Sequence, residues 1–240
     1  MKLDERQCKV TYLFNSGFTI ETKSSFIIID YYTSSTPLGL EKHKDKNIYV
    51  MVSHNHGDHY TQKIYDWNQN YNVRYILHDD INAPQNINAD YVVKNESYHI
   101  DKVLQVDTFG STDKGVSFLT YVDGMTIFHS GDLNWWKWKS DPEDAQYHEE
   151  VSYKKEIDKL IGKNIDIAFI PVDPRLEENY DLSAKYFAKK INAQVVIPMH
   201  FRDSLSYLKT LDQNWLDIET SSKFQLISRE GQSFFYDLNN

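Results

Sequence analysis

The sequence predicts a mixed α/β fold in which sheets are covered by helices. Short apolar runs separated by turn residues fill the first third, and similar runs alternate with helix-period segments in the last third. Between them, one Asp-Gly pair marks a hairpin. That mixture fits neither an all-β sandwich nor a helical bundle. CKVTYLF, GFTIET and SFIIID read as strands, with Asn15-Ser16-Gly17 and Lys23-Ser24 as the turns between them. IYVMVS (48–53) is a further apolar strand, TQKIYDWNQNY reads as a helix and VRYILH as a strand. GVSFLTYV and MTIFHS join through Asp123-Gly124. A helix is predicted from about Asp144 to Ile161, with Tyr147, Val151, Ile157 and Ile161 near one face. The strand IDIAFIPV, the helix LSAKYFAKKI, the strand QVVIPMH and the helix SLSYLKTL come next. The hairpin FQLIS-REGQ-SFFYD closes the chain.

No linker, low-complexity tract or short-period repeat divides the 240 residues, so 1–240 read as one domain. With 17 Tyr, 5 Trp and 40% hydrophobic residues, the chain has the material for a packed core. The net charge of -9 disfavours a nucleic-acid or anionic-membrane surface, both of which need cationic patches. It leaves room for a small anionic substrate in one pocket. Cys8 is the sole cysteine, so neither an intramolecular disulfide nor a cysteine metal cluster is expected. MKLDERQCKV has no apolar signal-like core, and runs such as FIII (26–29) are too short to span a membrane. The expectation is a cytoplasmic protein; the oligomeric state is not encoded legibly.

Chemistry concentrates in SHNHGDHY, Ser53 to Tyr60. Imidazole and carboxylate are common ligands of zinc and similar ions. On a tight loop containing Gly57, alternate residues reach opposite sides of a cavity. His54 and His56 can then hold one ion while Asp58 and His59 hold a second. A solvated polar loop is the competing reading, disfavoured by so dense a ligand set at the end of a buried strand. FHSGD places Asp132, and VVIPMH places His200, at the ends of two more apolar strands. Alone, these are an ordinary turn aspartate and a core histidine; together with the cluster, the three strand ends complete a pocket. A carboxylate can bridge two ions, which suits Asp132, and His200 can complete the second set.

On these residues the chain resembles the metallo-β-lactamase superfamily. His54-x-His56-x-Asp58-His59 matches the superfamily signature, Asp30 after FIII the acidic residue supporting the metal loop, Asp132 the bridging aspartate and His200 the last histidine. FHSGD and the PMH ending look closest to the branch of ascorbate-phosphate lactonases and phospholipase D-like enzymes. The resemblance implies a four-layer αββα sandwich of two similar β-rich halves with outer helices. It also implies one or two divalent metals per chain; zinc is the first expectation, with manganese, iron, cobalt and nickel as alternatives. One departure stands out: Phe109 occupies the position where another metal-binding histidine is expected. This implies a weakened first site, completed by water or by Asp107 or Asp113, and Phe109→His is expected to restore it. His129, three residues before Asp132, is read as a hydrogen-bonding support and as a reserve ligand. His78 and His99 read as loop or strand-edge residues.

Trp135, Trp136 and Trp138 stand directly after the bridging aspartate. They read either as a lid over the core or as an aromatic wall of the substrate pocket, with Lys137 or Lys139 beside it. In PVDPR (171–175), Arg175 is a candidate fork for a phosphate or carboxylate and Asp173 a candidate for orienting a ligand or moving a proton; a plain surface salt bridge is the alternative. The expected function is metal-dependent hydrolysis of an ester-type bond in a small anionic substrate: a phosphodiester, phosphoester or lactone. Asp58 and Asp132 are the expected catalytic carboxylates. The alternative is a non-hydrolytic metal-binding or sensor protein with a degenerate first site, and nuclease activity is disfavoured by the acidic charge.

Overall fold

The computed structural model describes residues 2–239. In the first half lie β1 (Gln7–Phe14), β2 (Gly17–Glu21), β3 (Ser25–Ile29), β4 (Asn47–Val52), β5 (Val73–His78) and β6 (Ala89–Val92). The second half carries β7 (Ser97–His99), β8 (Leu104–Phe109), β9 (Ser117–Val122), β10 (Met125–His129), β11 (Ile167–Pro171), β12 (Val195–Met199) and β13 (Lys223–Phe224). Three helices accompany these: α1 (Glu143–Asp158), α2 (Leu182–Ile191) and α3 (Leu205–Asn214). The last strand, β14 (Ser233–Asp237), returns to pair with β1. Two seven-stranded sheets result, ordered β14-β1-β2-β3-β4-β5-β6 and β13-β12-β11-β10-β9-β8-β7.

Each half repeats one plan. Antiparallel pairing runs up to β3 in the first sheet and up to β10 in the second, and the strands beyond are parallel. Parallel strands are covered on both faces and therefore read as unbroken apolar runs. SFIII, IAFIP and VVIPM are buried at every position. The main core lies between the sheets and under α1–α3. A second core fills the outer face of the first sheet, where Ile64 and Tyr65 cover Val50, Tyr75 and Leu77. Two similar halves with outer helical layers agree with the sandwich expected. Among the described residues, no helix is long and apolar enough to cross a membrane.

Three local expectations need correction, and three strands went unread. Gln62–Gln69 forms 3-10 turns rather than an α-helix. The predicted closing hairpin does not form: β13 pairs with β12 and β14 with β1, so the chain crosses between sheets. Strands β6, β7 and β8 carry no clear strand signal, being short or interrupted by polar residues. Helix α1 ends at Asp158, short of Ile161, and of the expected face only Ile157 is buried: Tyr147, Val151 and Ile161 are exposed (68%, 45% and 54%), while Tyr153 and, past the helix, Leu160 join Ile157 in the core. Polar contacts are the cause. The inward side of the first turns carries Gln146, which donates to the Trp138 and Asp141 carbonyls, and Glu149, which borders a pocket at the strand ends. A helix face with polar duties has no hydrophobic period to read.

Candidate metal centre

The candidate site sits where the parallel strands of both sheets end, the place where open α/β sheets present ligands. Asp30 follows β3, the SHNHGDHY loop follows β4, Asp132 follows β10, Asp173 follows β11 and His200 follows β12. The two halves thus contribute equivalent strand ends to one centre.

Around the carboxylate of Asp132 the imidazoles gather. His54 Nε2 lies 3.2 Å and His56 Nδ1 3.7 Å from Oδ2; His59 Nε2 lies 2.9 Å and His200 Nε2 3.4 Å from Oδ1. His200 Nε2 is also 3.5 Å from Asp58 Oδ2. Ligands at about 2.1 Å from a tetrahedral ion stand about 3.4 Å apart, so these spacings fit shared coordination. Three groupings of donor atoms fall within 4.8 Å: His54, His59 and Asp132; Asp58, His59 and His200; His56, Asp113 and Asp132. His54 Nε2, His59 Nε2 and Asp132 Oδ1 are buried and make no hydrogen bond. Buried polar atoms are rarely left so, and three of them pointing at one place fit a cation.

The supports are as specific as the candidate ligands. Asp30 is fully buried and takes the Ser53 amide (2.8 Å) and hydroxyl (2.7 Å), with His59 Nδ1 at 2.8 Å. Asp173 Oδ2 lies 3.1 Å from His200 Nδ1 and is paired in turn by Arg175. Each carboxylate fixes the tautomer and tilt of an imidazole whose other nitrogen faces Asp132. The contact of Asp173 with His200 suits the first of its two expected roles, orienting a ligand. His129 is not a reserve ligand. Its Nε2 donates to the Ser16 carbonyl at 2.9 Å and its Nδ1 accepts from the Gly131 amide at 3.1 Å, so both nitrogens are used.

Phe109 also differs from expectation. It lies on the same face of β8 as Asp107, two residues away, and both meet Lys163, whose Nζ is 5.8 Å from the Phe109 ring centre and 3.4 Å from Asp107. Neither residue is in the centre, and Phe109→His places an imidazole in the core rather than beside His56. The aromatic segment divides. Trp136 and Trp138 stack in parallel (6.0 Å, 5°) and border the pocket, with Trp136 edge-on to His200. Trp135, expected in the same wall, turns away to Tyr153 and Tyr186 under Lys154. Consecutive residues in an extended segment face opposite ways, so one of the pair had to leave the pocket. Lys139 pairs with Glu177 and Glu178 outside it.

Three residues in or beneath the pocket lacked a sequence signal. Arg202, two residues past His200, sets Nη2 3.7 Å from Asp58 Oδ2 at the pocket mouth. Asn15, expected only as a turn residue, donates to Asp58 and accepts the His200 amide at 3.0 Å. Glu149 of α1 borders the opposite wall together with Asp113 and Asp141. A pocket of about 490 Å³ lies over the centre, basic on the Arg175–Arg202 side and acidic on the Glu149 side.

Charge is strongly coupled in this centre. Burial opposes ionisation of Asp132, but His59, His54 and His200 hold its carboxyl well below the usual range. Burial likewise opposes a charged His59, yet Asp132 and Asp30 outweigh it and raise the imidazole well above its ordinary value. His200 is raised against burial by Asp173 and Asp58. Stability from the raised histidines is present in full below their unfolded value of about 6.5 and is lost as pH rises through their folded values. Stability from Asp132 is present above about pH 3.9 and is lost as pH falls through its depressed folded value. The metal-free protein should therefore be most stable between about pH 4 and 6.5. Metal affinity should run the other way and climb with pH as His59 and His200 give up protons. Urea midpoints and metal titrations across pH 5–9 check this pair of slopes.

Two facing sheets with a His/Asp centre at their strand ends define the class: a metallo-β-lactamase fold carrying a candidate metal site. Residues 9–200 match the family model described as the Beta-lactamase superfamily domain. The chain belongs to the metallo-β-lactamase superfamily. A UPF0173 metal-dependent hydrolase of Desulforamulus reducens is 24% identical over 237 residues, covering 85% of this chain and 92% of that protein. The UPF0173 metal-dependent hydrolase YtkL of Bacillus subtilis is 28% identical over 219 residues, covering 80% and 85%. Among solved structures, the metallo hydrolase Igni18 of Ignicoccus hospitalis matches with a TM-score of 0.69 at 18% identity, covering 97% of this chain and 100% of that one. The metallo-β-lactamase fold protein YhfI of Bacillus subtilis matches at 0.67 and 12%, covering 96% and 100%. The structural likenesses concern the fold.

Proposed function

We propose that this protein is a metal-dependent hydrolase that cleaves an ester-type bond, a phosphodiester, phosphoester or lactone, in a small anionic substrate. The observation carrying the reading is the convergence of buried His54 Nε2, His59 Nε2 and Asp132 Oδ1, which make no aligned hydrogen bond and face only other residues of the centre, beneath an open pocket. His54, His56 and Asp132 would hold one divalent ion, and Asp58, His59, His200 and Asp132 a second, a division that follows which Asp132 oxygen each imidazole faces and the contact of His200 with Asp58. An ion held there supplies Lewis acidity and brings the pKa of water in its shell from ~15.7 towards ~7. Asp58 is placed to orient the attacking water and take its proton. Asn15 donates to its carboxylate from the side and His200 Nε2 stands 3.5 Å away. Arg202, half exposed at the mouth, is free to turn towards an anion. Arg175 is committed to Asp173 and lies 5.7 Å and 5.6 Å from the Trp136 and Trp138 ring centres, so it adds positive field and stiffens the wall. This modifies the expected role of Arg175: Arg202 is the better candidate for direct pairing.

Zinc remains the first candidate ion, and a His/Asp centre without cysteine also suits manganese or iron. The non-hydrolytic alternative drew on Phe109 alone, and that residue lies outside the centre. A hydrolysis panel of phosphodiesters, phosphomonoesters and lactones, run with zinc, manganese and iron forms, tests the reading; no turnover in any form would sink it. With a substrate in hand, Arg202→Ala should raise KM about 10-fold or more for anionic substrates, the equivalent of ~1.4 kcal/mol, with a smaller effect on kcat. An unchanged KM would remove Arg202 from substrate binding.

A further inference from the structure

The loop between β8 and β9 is fastened to both ligand-bearing strand ends. At its near side, Thr112 Oγ1 donates to the Asn134 carbonyl at 2.6 Å and accepts the Asn134 amide at 2.9 Å, two residues past Asp132. At its far side, the Val116 amide donates to the Ser53 carbonyl at 3.1 Å, directly before His54. Gly115 makes that approach feasible: its φ is +75°, and a Cβ there would lie 2.0 Å from the Ser53 oxygen and 2.5 Å from the His54 Cβ. Between these two fastenings stands Asp113. Its Oδ2 is 3.9 Å from His56 Nδ1, on the pocket side of the centre, and its carboxylate groups with His56 and Asp132 within 4.8 Å. Asp107, the other carboxylate near the expected position, is fully engaged elsewhere by Ser97, Tyr121 and Lys163.

We propose that Asp113 closes the first metal site, in the place where the resemblance leads one to expect a histidine. The inference rests on the metal-centre reading above. Each ion would then have two imidazoles, one carboxylate of its own and a share of Asp132: His54, His56 and Asp113 on one side, His59, His200 and Asp58 on the other. The first site is completed rather than weakened, contrary to the expectation drawn from Phe109. A carboxylate in place of an imidazole adds a negative charge and a harder donor, which shifts the first site's preference towards iron or manganese relative to zinc.

The test is metal stoichiometry and affinity of the full chain, measured by elemental analysis after dialysis against buffered zinc, manganese or iron. Cobalt absorption spectra give a second readout that does not depend on activity. Wild type, Asp113→Ala, Asp113→His and Asp107→Ala are compared, with circular dichroism to confirm folding. The expected result is two ions in wild type and in Asp107→Ala, one in Asp113→Ala with first-site affinity down at least about 100-fold. Asp113→His should regain two, with zinc now favoured and an altered cobalt spectrum. Two equally tight ions in Asp113→Ala, or a single ion in wild type, would overturn the assignment of Asp113 while leaving a metal centre in place. No ion in wild type would overturn both readings.

Discussion

Asp132→Ala should leave a folded protein with no measurable turnover and no tightly held ion in either position. The reason is geometric: the two oxygens of this one carboxylate face different pairs of imidazoles, His54 and His56 on one side, His59 and His200 on the other. On the assignment proposed above, removing it would take a ligand from both sites at once, whereas loss of Asp58 or Asp113 would affect one. Without the ion, water keeps a pKa of ~15.7 and the pocket has no nucleophile at neutral pH. Asp132→Asn separates charge from shape, keeping the volume and one acceptor oxygen while removing the negative charge. Elemental analysis and steady-state kinetics check the pair. Retention of two ions and of turnover in the alanine variant would falsify the bridging role.

Asp30→Ala should give the largest loss of stability among the centre's residues, about 3–5 kcal/mol. Asp30 is not exposed at all, sits at φ +45°, and takes the Ser53 amide, the Ser53 hydroxyl and the His59 ring. Truncation strands the Ser53 amide and the His59 ring in a buried site and leaves the Ser53 hydroxyl only His54 Nδ1, 3.0 Å away. It also frees His59 to tilt, so second-site metal affinity should fall about 10–100-fold. Urea denaturation of the metal-free protein measures the first effect and metal titration the second. Asp30→Asn, which keeps an acceptor for Ser53, should lose less. A variant Asp30→Ala with an unchanged urea midpoint would show that the carboxylate holds nothing together.

Much of the candidate site is legible in the chain because its residues are adjacent to strong local signals. IYVMVS is an uninterrupted buried strand, and residues just past the carboxyl end of a buried strand are held in place, so His54, His56, Asp58 and His59 stand out. Asp132 and His200 stand out for the same reason after MTIFH and VVIPM. Arg202, Asn15, Glu149 and the position of Asp113 carry no such signal. Arg202 lies on a turn where both it and His200 take left-handed φ, +51° and +63°, and nothing in MHFRD announces that turn. Glu149 lies on a helix whose inward face the apolar residues do not mark, since polar residues lining a pocket erase the stripe by which a helix is oriented.

Residue types alone mark the two-part strand pattern, the candidate metal loop and the strand ends that meet it, since burial of apolar strands and the chemistry of imidazole and carboxylate are local properties. Which neighbours share a cavity was settled by packing. Trp136 lines the pocket and Trp135 does not, because neighbouring side chains in extended chain point apart. Asp113 stands at the centre and Phe109 in the core, because Gly115 lets one loop lie against Ser53 and His54. The closing segment splits between two sheets, because pairing partners far along the chain outcompete a nearby turn. Close approach, facing and long-range pairing are relations between distant parts of the chain, and they exist only once the sheets have packed.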